Sequence, residues 1–156
     1  MAEIVGESDG LMQAVALEPT DVEVRIGLQS DTPFIVKAWL AQRHIYPNSY
    51  AMDWVERKTR EILARVERST VLVAHLEGDP DTILSFLIFQ LWRGECVVLY
   101  AYTDEGARRQ GIVRRLLGMA NPAQRPVVFL HAPMNENVMR HIVKRAVFAP
   151  WMWEQT

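Results

Sequence analysis

Four arginines, Arg108, Arg109, Arg114 and Arg115, fall within eight consecutive positions, where an apolar stretch gives way to an amphipathic one. The run Tyr100–Leu117 reads as a strand, a short turn and the start of a helix. A helix start presents main-chain N–H groups with no partner inside the helix, together with the positive end of the helix dipole. Such an end suits an anionic group, a pyrophosphate for example. Gly111 at the helix entrance lets a ligand approach the main chain closely. Arg108, Arg109 and Arg114 can add charge-assisted hydrogen bonds to it. The plainer alternative is a solvated helix start with Leu116 and Leu117 buried behind it. Arginines at a helix N-terminus oppose the dipole, so a purely structural role explains them poorly, and the anion site is the better reading.

The rest of the chain must hold that turn in place. Its 156 residues carry 17 Lys+Arg against 19 Asp+Glu, a net charge of −2. At this length one domain is the default, Asp21 to Thr156, preceded by an N-terminal extension over Met1–Thr20 with no steady period. With 49% apolar residues and 23% charged, the chain can bury a full core. The single cysteine, Cys96, forms no internal disulfide and reads as an ordinary buried residue. The acidic Met1–Gly10 does not read as a signal peptide. The apolar stretch Ile83–Leu91 is too short to span a membrane, so the expectation is a soluble, cytoplasmic protein. The near-neutral balance argues against a general polyanion partner, and four arginines without interleaved aromatics make a small nucleic-acid footprint. His44, His75, His131 and His141 lack metal-ligand spacing, so no metal site is expected.

Hydrophobic periodicity supplies the elements. Val22, Val24 and Ile26 alternate with Glu23 and Arg25 as a strand. Ser30–Pro33 offers a capping residue and a first-turn proline for a helix whose apolar face is Phe34, Ile35, Ala38, Trp39 and Ala41, ending near Arg43. His44–Tyr50 reads as a loop, and a helix follows over about Met52–Arg68, with Val55, Ile62, Leu63 and Val66 inward. Val71–His75, Ile83–Leu91 and Cys96–Tyr102 read as strands, with a turn at Glu77–Asp81 and a hairpin connection at Trp92–Glu95. Gly111–Ala120 reads as a helix, Val127–His131 as a strand, Asn135–Arg145 as a helix, and Phe148–Trp153 as a final aromatic strand or tail. The order β-α-α-β-β-β-α-β-α-β predicts an α/β fold, a mixed sheet with helices on both faces.

Arg108-Arg109-Gln110-Gly111-Ile112-Val113 resembles the R/Q-x-x-G-x-G/A turn of the GCN5-related N-acetyltransferase (GNAT) superfamily, and the element order agrees with that family's fold. The resemblance implies that this turn and helix start, Arg108 to Arg114, hold the pyrophosphate of acetyl-CoA. It also implies that main-chain groups of the preceding strand, from Leu99 through Ala101 to Thr103, line the pantetheine arm. Asn135–Phe148 is similar to the family's N-x-x-A-x-x-L-Y-x-K-x-G-F segment, with Asn135 and Lys144 matching, which adds Asn135 to the cofactor set. Residues Asp31–Leu40 and Ser69–Ala74 are similar to small GNAT-like proteins encoded by tailed bacteriophages, which implies a host cytoplasm or a virion as the setting. Two positions depart from the family: Val113 stands where the last residue of the turn is small, and Ile142 where a tyrosine often protonates the departing thiolate.

Acyl transfer of the kind the resemblance implies needs an amine acceptor, an oriented thioester and proton transfer. His131 leads as a base, at the end of its strand and with a side chain that titrates near neutrality; a strand-end histidine bonded to the next loop is the competing reading. Asp104 and Glu105 follow the cofactor strand and can relay protons, or can simply be solvated. Strand alternation puts Tyr100 and Tyr102 on one side and Leu99 and Ala101 on the other, so Tyr102 can replace the missing acid or serve as packing. Tyr46, Tyr50 and His44 fall in the connection that borders the acceptor in GNAT folds. The function expected is an acetyl-CoA-dependent N-acyltransferase acting on an amine of a small molecule or protein. The alternative is a catalytically weak or inactive module of the same fold, a phage virion or host-interaction protein, assembling as a homo-oligomer or with a protein partner through the N-terminal arm or the Trp151–Trp153 end.

Overall fold

The computed structural model describes residues 21–41, 52–130 and 146–149. The N-terminal extension, the His44–Tyr50 loop, the helix over Asn135–Arg145, the Trp151–Trp153 tail, His131 and Asn135 lie outside the described residues. Six strands form one sheet in sequence order, β1 Val22–Ile26, β2 Thr70–Leu76, β3 Asp79–Trp92, β4 Glu95–Thr103, β5 Val127–Phe129 and β6 Ala146–Phe148. β1 to β4 pair antiparallel, whereas β4–β5 and β5–β6 pair parallel. The sheet is mixed, as the element order implies. No described helix is long and apolar enough to cross a membrane.

Among the described residues three helices cover the two faces. α1, Thr32–Leu40, and α2, Met52–Glu67, contribute Ile35, Trp39 and Ile62 to a core with Val73, Phe86, Ile88, Val97 and Leu99. α3, Ile112–Ala120, buries Ile112, Leu116 and Leu117 on the other face, against Leu72, Leu87, Cys96 and Val98. Alternate strand residues feed the two cores because successive side chains point to opposite faces. Both faces of the central strands are therefore apolar, which is why β3 and β4 read as nearly continuous hydrophobic runs.

Arg93 and Gly94, at φ of 49° and 82°, make the two-residue turn between β3 and β4, a geometry that needs left-handed backbone at both positions and matches strand twist. β3 begins at Asp79, four residues before the sequence reading put it, so the expected turn shrinks to Glu77–Gly78. The register slips between Ala74 and Leu76, and this irregular stretch of β3 accommodates Pro80, which has no N–H for a regular ladder. β6 likewise begins at Ala146, ahead of the expected Phe148.

Asp31 precedes α1 but makes no side-chain cap bond. Its carboxylate, with the residue only 5% exposed, accepts two bonds from Arg25, at 2.7 and 2.9 Å, and one from the Leu28 N–H at 2.6 Å. Arg25 also donates to the Pro80 carbonyl at 3.0 Å. One bidentate pair thereby joins β1, the entrance of α1 and the start of β3. The Arg25 guanidinium holds the Asp31 carboxyl below the usual carboxylate range, against the opposing effect of burial.

Candidate active site

β4 changes character halfway along. Cys96, Val97 and Val98 pair with β3 on one side and with Val127, Val128 and Phe129 of β5 on the other. The last bond on the β5 side is the Leu130 N–H to the Val98 carbonyl, 3.1 Å. From Leu99 to Thr103, β4 has β3 alone as a strand neighbour among the described residues. The ladder to β3 breaks at the same level: Phe89 pairs with Val98 and Ile88 with Tyr100, leaving Leu99 as an extra residue. Such a bulge bends its strand and raises the local twist. The bulge redirects the rest of β4, and among the described residues no strand pairs with its β5-side edge from Leu99 to Thr103.

The bulge also corrects the expected alternation. Leu99 packs with Tyr100 and Tyr102 in the core under α1 and α2, while Ala101 alone of that stretch faces the core under α3. The extra residue resets the side-chain period, so Leu99 shares a face with the two tyrosines instead of opposing them.

The free edge of β4 leads into the arginine-rich turn. A short 3-10 turn over Glu105–Ala107 is capped by Asp104, whose carboxylate accepts from the Gly106 N–H at 3.1 Å. Arg108 and Arg109 are exposed, Gln110 is half-buried, and Arg109 and Gly111 both have left-handed backbone, with φ of 65° and 75°. Gly111 caps α3, and the Arg115 N–H makes the first helical bond, 3.0 Å to the Gly111 carbonyl. The N–H groups of Ile112, Val113 and Arg114 therefore precede any helical acceptor. A Cβ placed on Gly111 would meet nothing within 4 Å, so the space before the helix start is open.

Arg108 and Arg109 have no carboxylate at ion-pair distance among the described residues. Arg108 spends its Nε on the Thr103 carbonyl, 3.3 Å away, at the end of the β4 edge. Arg115 differs: its Nη1 donates to the Val22 carbonyl at 2.7 Å and ties α3 to β1. Arg114 is exposed on the first turn of α3, and Ile112 is buried beneath it. The branched side chain of Val113 packs against the core beneath α3.

On the opposite face of β4 stands a group of aromatic rings. Tyr102 stacks on Phe86 at 5.3 Å, and Phe34 of α1 meets Tyr102 edge-on at 5.8 Å. Deeper in, Tyr100 stacks on Trp39 at 4.6 Å and donates to the Ala38 carbonyl at 3.4 Å. The Tyr102 hydroxyl donates to the Asp104 carboxylate at 3.5 Å, so the structure brings these two sequence candidates together. Burial, reinforced by the Asp104 charge, raises the Tyr102 hydroxyl above its ordinary value, and the phenol holds its proton at neutral pH. The Ser85 hydroxyl donates to the Tyr102 carbonyl and lies 3.0 Å from the Thr103 hydroxyl, bracing the end of β4. Sequence reading passed over Ser85 and placed Phe34 in the α1 core; the signal for Phe34 was its offset from the buried Ile35–Trp39 stripe.

Other chemistry-bearing groups are committed elsewhere. Cys96 is fully buried, and desolvation pushes its thiol up to about 11, which leaves it unreactive at neutral pH. His75 is buried with Nδ1 2.9 Å from the Leu76 carbonyl and Nε2 3.9 Å from Glu23. Among the described residues no group of three His, Cys, Asp or Glu side chains could hold a metal ion. A wide, mostly apolar groove of about 1220 Å³ lies between α1, α2 and the strand ends at Ile26 and Val71, and no residue of β4 or the arginine turn lines it.

No family model matches the chain, and no curated protein matches it by sequence. Solved structures do. A possible acetyltransferase from Clostridium difficile 630 is 15% identical with a TM-score of 0.54, over 80% of this chain and 88% of that one. A GNAT family acetyltransferase from Brucella melitensis in complex with acetyl-CoA is 16% identical with a TM-score of 0.50, over 76% and 80%. The ribosomal-protein-alanine N-acetyltransferase from Brucella melitensis biovar Abortus 2308 is 16% identical with a TM-score of 0.52, over 82% and 92%. At these identities the likeness is one of fold: the chain has the fold of the GNAT acetyltransferases, as the turn and the element order led us to expect.

Proposed function

We propose that the chain is an acetyl-CoA-dependent N-acyltransferase that modifies an amine. The observation that carries this reading is the junction of the β4 edge over Leu99–Thr103, which no described strand but β3 pairs, with a glycine-capped helix start preceded by Arg108 and Arg109, neither of which has a carboxylate at ion-pair distance among the described residues. An extended arm with hydrogen-bonding amides fits the edge, and a diphosphate fits the helix start. The similar fold solved with acetyl-CoA supports the same ligand class. When bound, acetyl-CoA supplies an activated thioester for transfer to the amine.

The residues of this chain take the following parts. The first-turn N–H groups of α3, with Arg108, Arg109, Gln110 and Arg114, bind the diphosphate. Main-chain groups of Leu99, Ala101 and Thr103 orient the arm, and orientation supplies much of the rate in such reactions. Tyr102, held protonated by burial and Asp104, donates a proton to the leaving group. Asp104 or His131 accepts the proton of the attacking amine. Asn135 joins the cofactor set on the strength of the motif it matches. The packing of Val113 toward the core supports an active enzyme over a silent module of the same fold. The resemblance of Asp31–Leu40 and Ser69–Ala74 to small phage proteins is the sole support for a host cytoplasm or a virion as its setting.

Titration of the full chain with acetyl-CoA tests this reading, with dissociation constants expected at micromolar levels. Gly111→Glu, which puts a carboxylate and an unfavourable left-handed backbone at the helix start, is expected to abolish the binding. Absence of binding to every acyl-CoA tried overturns the assignment.

A further inference from the structure

Building on the acyltransferase reading, we infer that the acceptor is a primary amine carried on an aromatic or bulky apolar group, seated against Phe34 and Tyr102. Phe34 lies in the first turn of α1 and is 36% exposed, beside Ile35 at 1%. A large ring is thus left partly at the surface there. It stands edge-on to both Tyr102 and Phe86, 5.8 and 6.3 Å away. Phe86 is fully buried behind the other two rings, so Phe34 and the half-buried Tyr102 make an apolar wall on the α1 side of β4, at the level where no described residue of β5 pairs with it. An amine meeting a thioester oriented along that edge would have its body against this wall.

Charge near the wall sets the rest of the acceptor. The nearest carboxylate is Asp104, which takes the Tyr102 hydroxyl at 3.5 Å, with the exposed Glu105 next in sequence. Asp31, three residues before Phe34, is already saturated by Arg25 and the Leu28 N–H. Lys37, one turn along α1 from Phe34, is exposed and repels a chain of positive charges. The described residues thus offer one acidic corner and one apolar wall. A single ammonium finds Asp104 and the ring faces and its apolar body finds Phe34, whereas a polyamine sets polar, charged chain against the Phe34 ring with Glu105 alone beside Asp104 to balance it.

Steady-state kinetics of the full chain with acetyl-CoA test this, using 2-phenylethylamine, a tripeptide with N-terminal phenylalanine and spermidine as acceptors. Either aromatic amine is expected to exceed spermidine in kcat/KM by about tenfold or more, and whichever of the two is better identifies a small molecule or a peptide as the source of the amine. Phe34→Ala is expected to raise KM for the aromatic acceptors about tenfold while leaving the acetyl-CoA Kd within about twofold. Phe34→Leu, which keeps an apolar wall, recovers part of the loss. Preference for spermidine, an unchanged amine KM in Phe34→Ala, or acetyl-CoA binding with no aromatic amine acetylated overturns the acceptor assignment alone. Failure to bind acetyl-CoA defeats the underlying acyltransferase reading as well.

Discussion

The molecule contains two arginine sites that solve opposite problems. Arg25 sits on β1 with its guanidinium shared between the Asp31 carboxylate and the Pro80 carbonyl, so its partners all come from the chain. Arg108 and Arg109 project from the turn before α3, beside open space at Gly111, with no carboxylate within ion-pair reach among the described residues. The first site is closed and staples the fold; the second is left open by the chain, and we propose that it takes an anion from outside. Local concentration of charge does not separate the two. The separation comes from whether folding delivers an acceptor to the terminal Nη groups of the guanidinium, as it does for Arg25, whereas the bond of Arg108 uses Nε alone.

The comparison breaks most visibly if the closed site is opened. Asp31→Ala leaves a guanidinium part-buried without its partner and is expected to cost about 3 kcal/mol of stability, read from the urea midpoint at constant m-value, while the acetyl-CoA Kd of the folded protein stays unchanged. The same pair sets an acid limb. Because the Asp31 carboxyl is held low in the folded state, its contribution is fully present above the unfolded value, about pH 4, and is lost as pH falls through the folded one. Asp31→Asn is therefore expected to be less stable at neutral pH and flatter below about pH 4; an unchanged acid limb would remove Asp31 as its source.

Emptying the open site has the reverse signature. Arg108→Ala is expected to weaken acetyl-CoA by about 2 kcal/mol, roughly thirtyfold in Kd, with stability moved by no more than about 0.5 kcal/mol. Raised salt is expected to weaken wild-type binding more than binding by the variant. Arg115 sharpens the contrast from inside the same run. Its bond to the Val22 carbonyl assigns it to the closed class, so Arg115→Ala is expected to cost about 1 kcal/mol in unfolding and leave the Kd alone. A larger effect on binding than on stability would return Arg115 to the open class.

Much of this was legible in the residues themselves. Alternation at Val22–Ile26 and the Ile35–Trp39 spacing marked their elements, and Gly111 marked the helix entrance through its conformational freedom. The open site was legible because its reason is local: a helix start, a glycine and nearby arginines lie within one turn of chain. The closed site was not, because Asp31 reads only as part of the Ser30–Pro33 helix start until the chain folds back to place it on Arg25 of β1. The bulge at Leu99 also left no mark, since one extra residue in an apolar run alters register without altering composition, and the faces of Leu99 and Tyr100 follow from that register. Phe34 reads as core because its residue type is apolar; its exposure follows from how α1 is rotated on the sheet.

The change from antiparallel to parallel pairing after β4 bears on the order in which the protein assembles. β2 to β4 are joined by turns of two residues and can zip in sequence, at the microsecond timescale of hairpins. β5 can join only after the chain has passed through α3, and closing that longer loop is entropically slower. Leu99–Thr103 is thus laid down as an outer strand before its neighbour docks at Cys96–Val98, and the cleft comes into being at the last closure. The thiol of Cys96, in the core closed by α3 and β5 together, serves as a clock for that closure: pulsed alkylation during refolding is expected to show protection of Cys96 arriving after the β2–β4 amides are protected from hydrogen exchange.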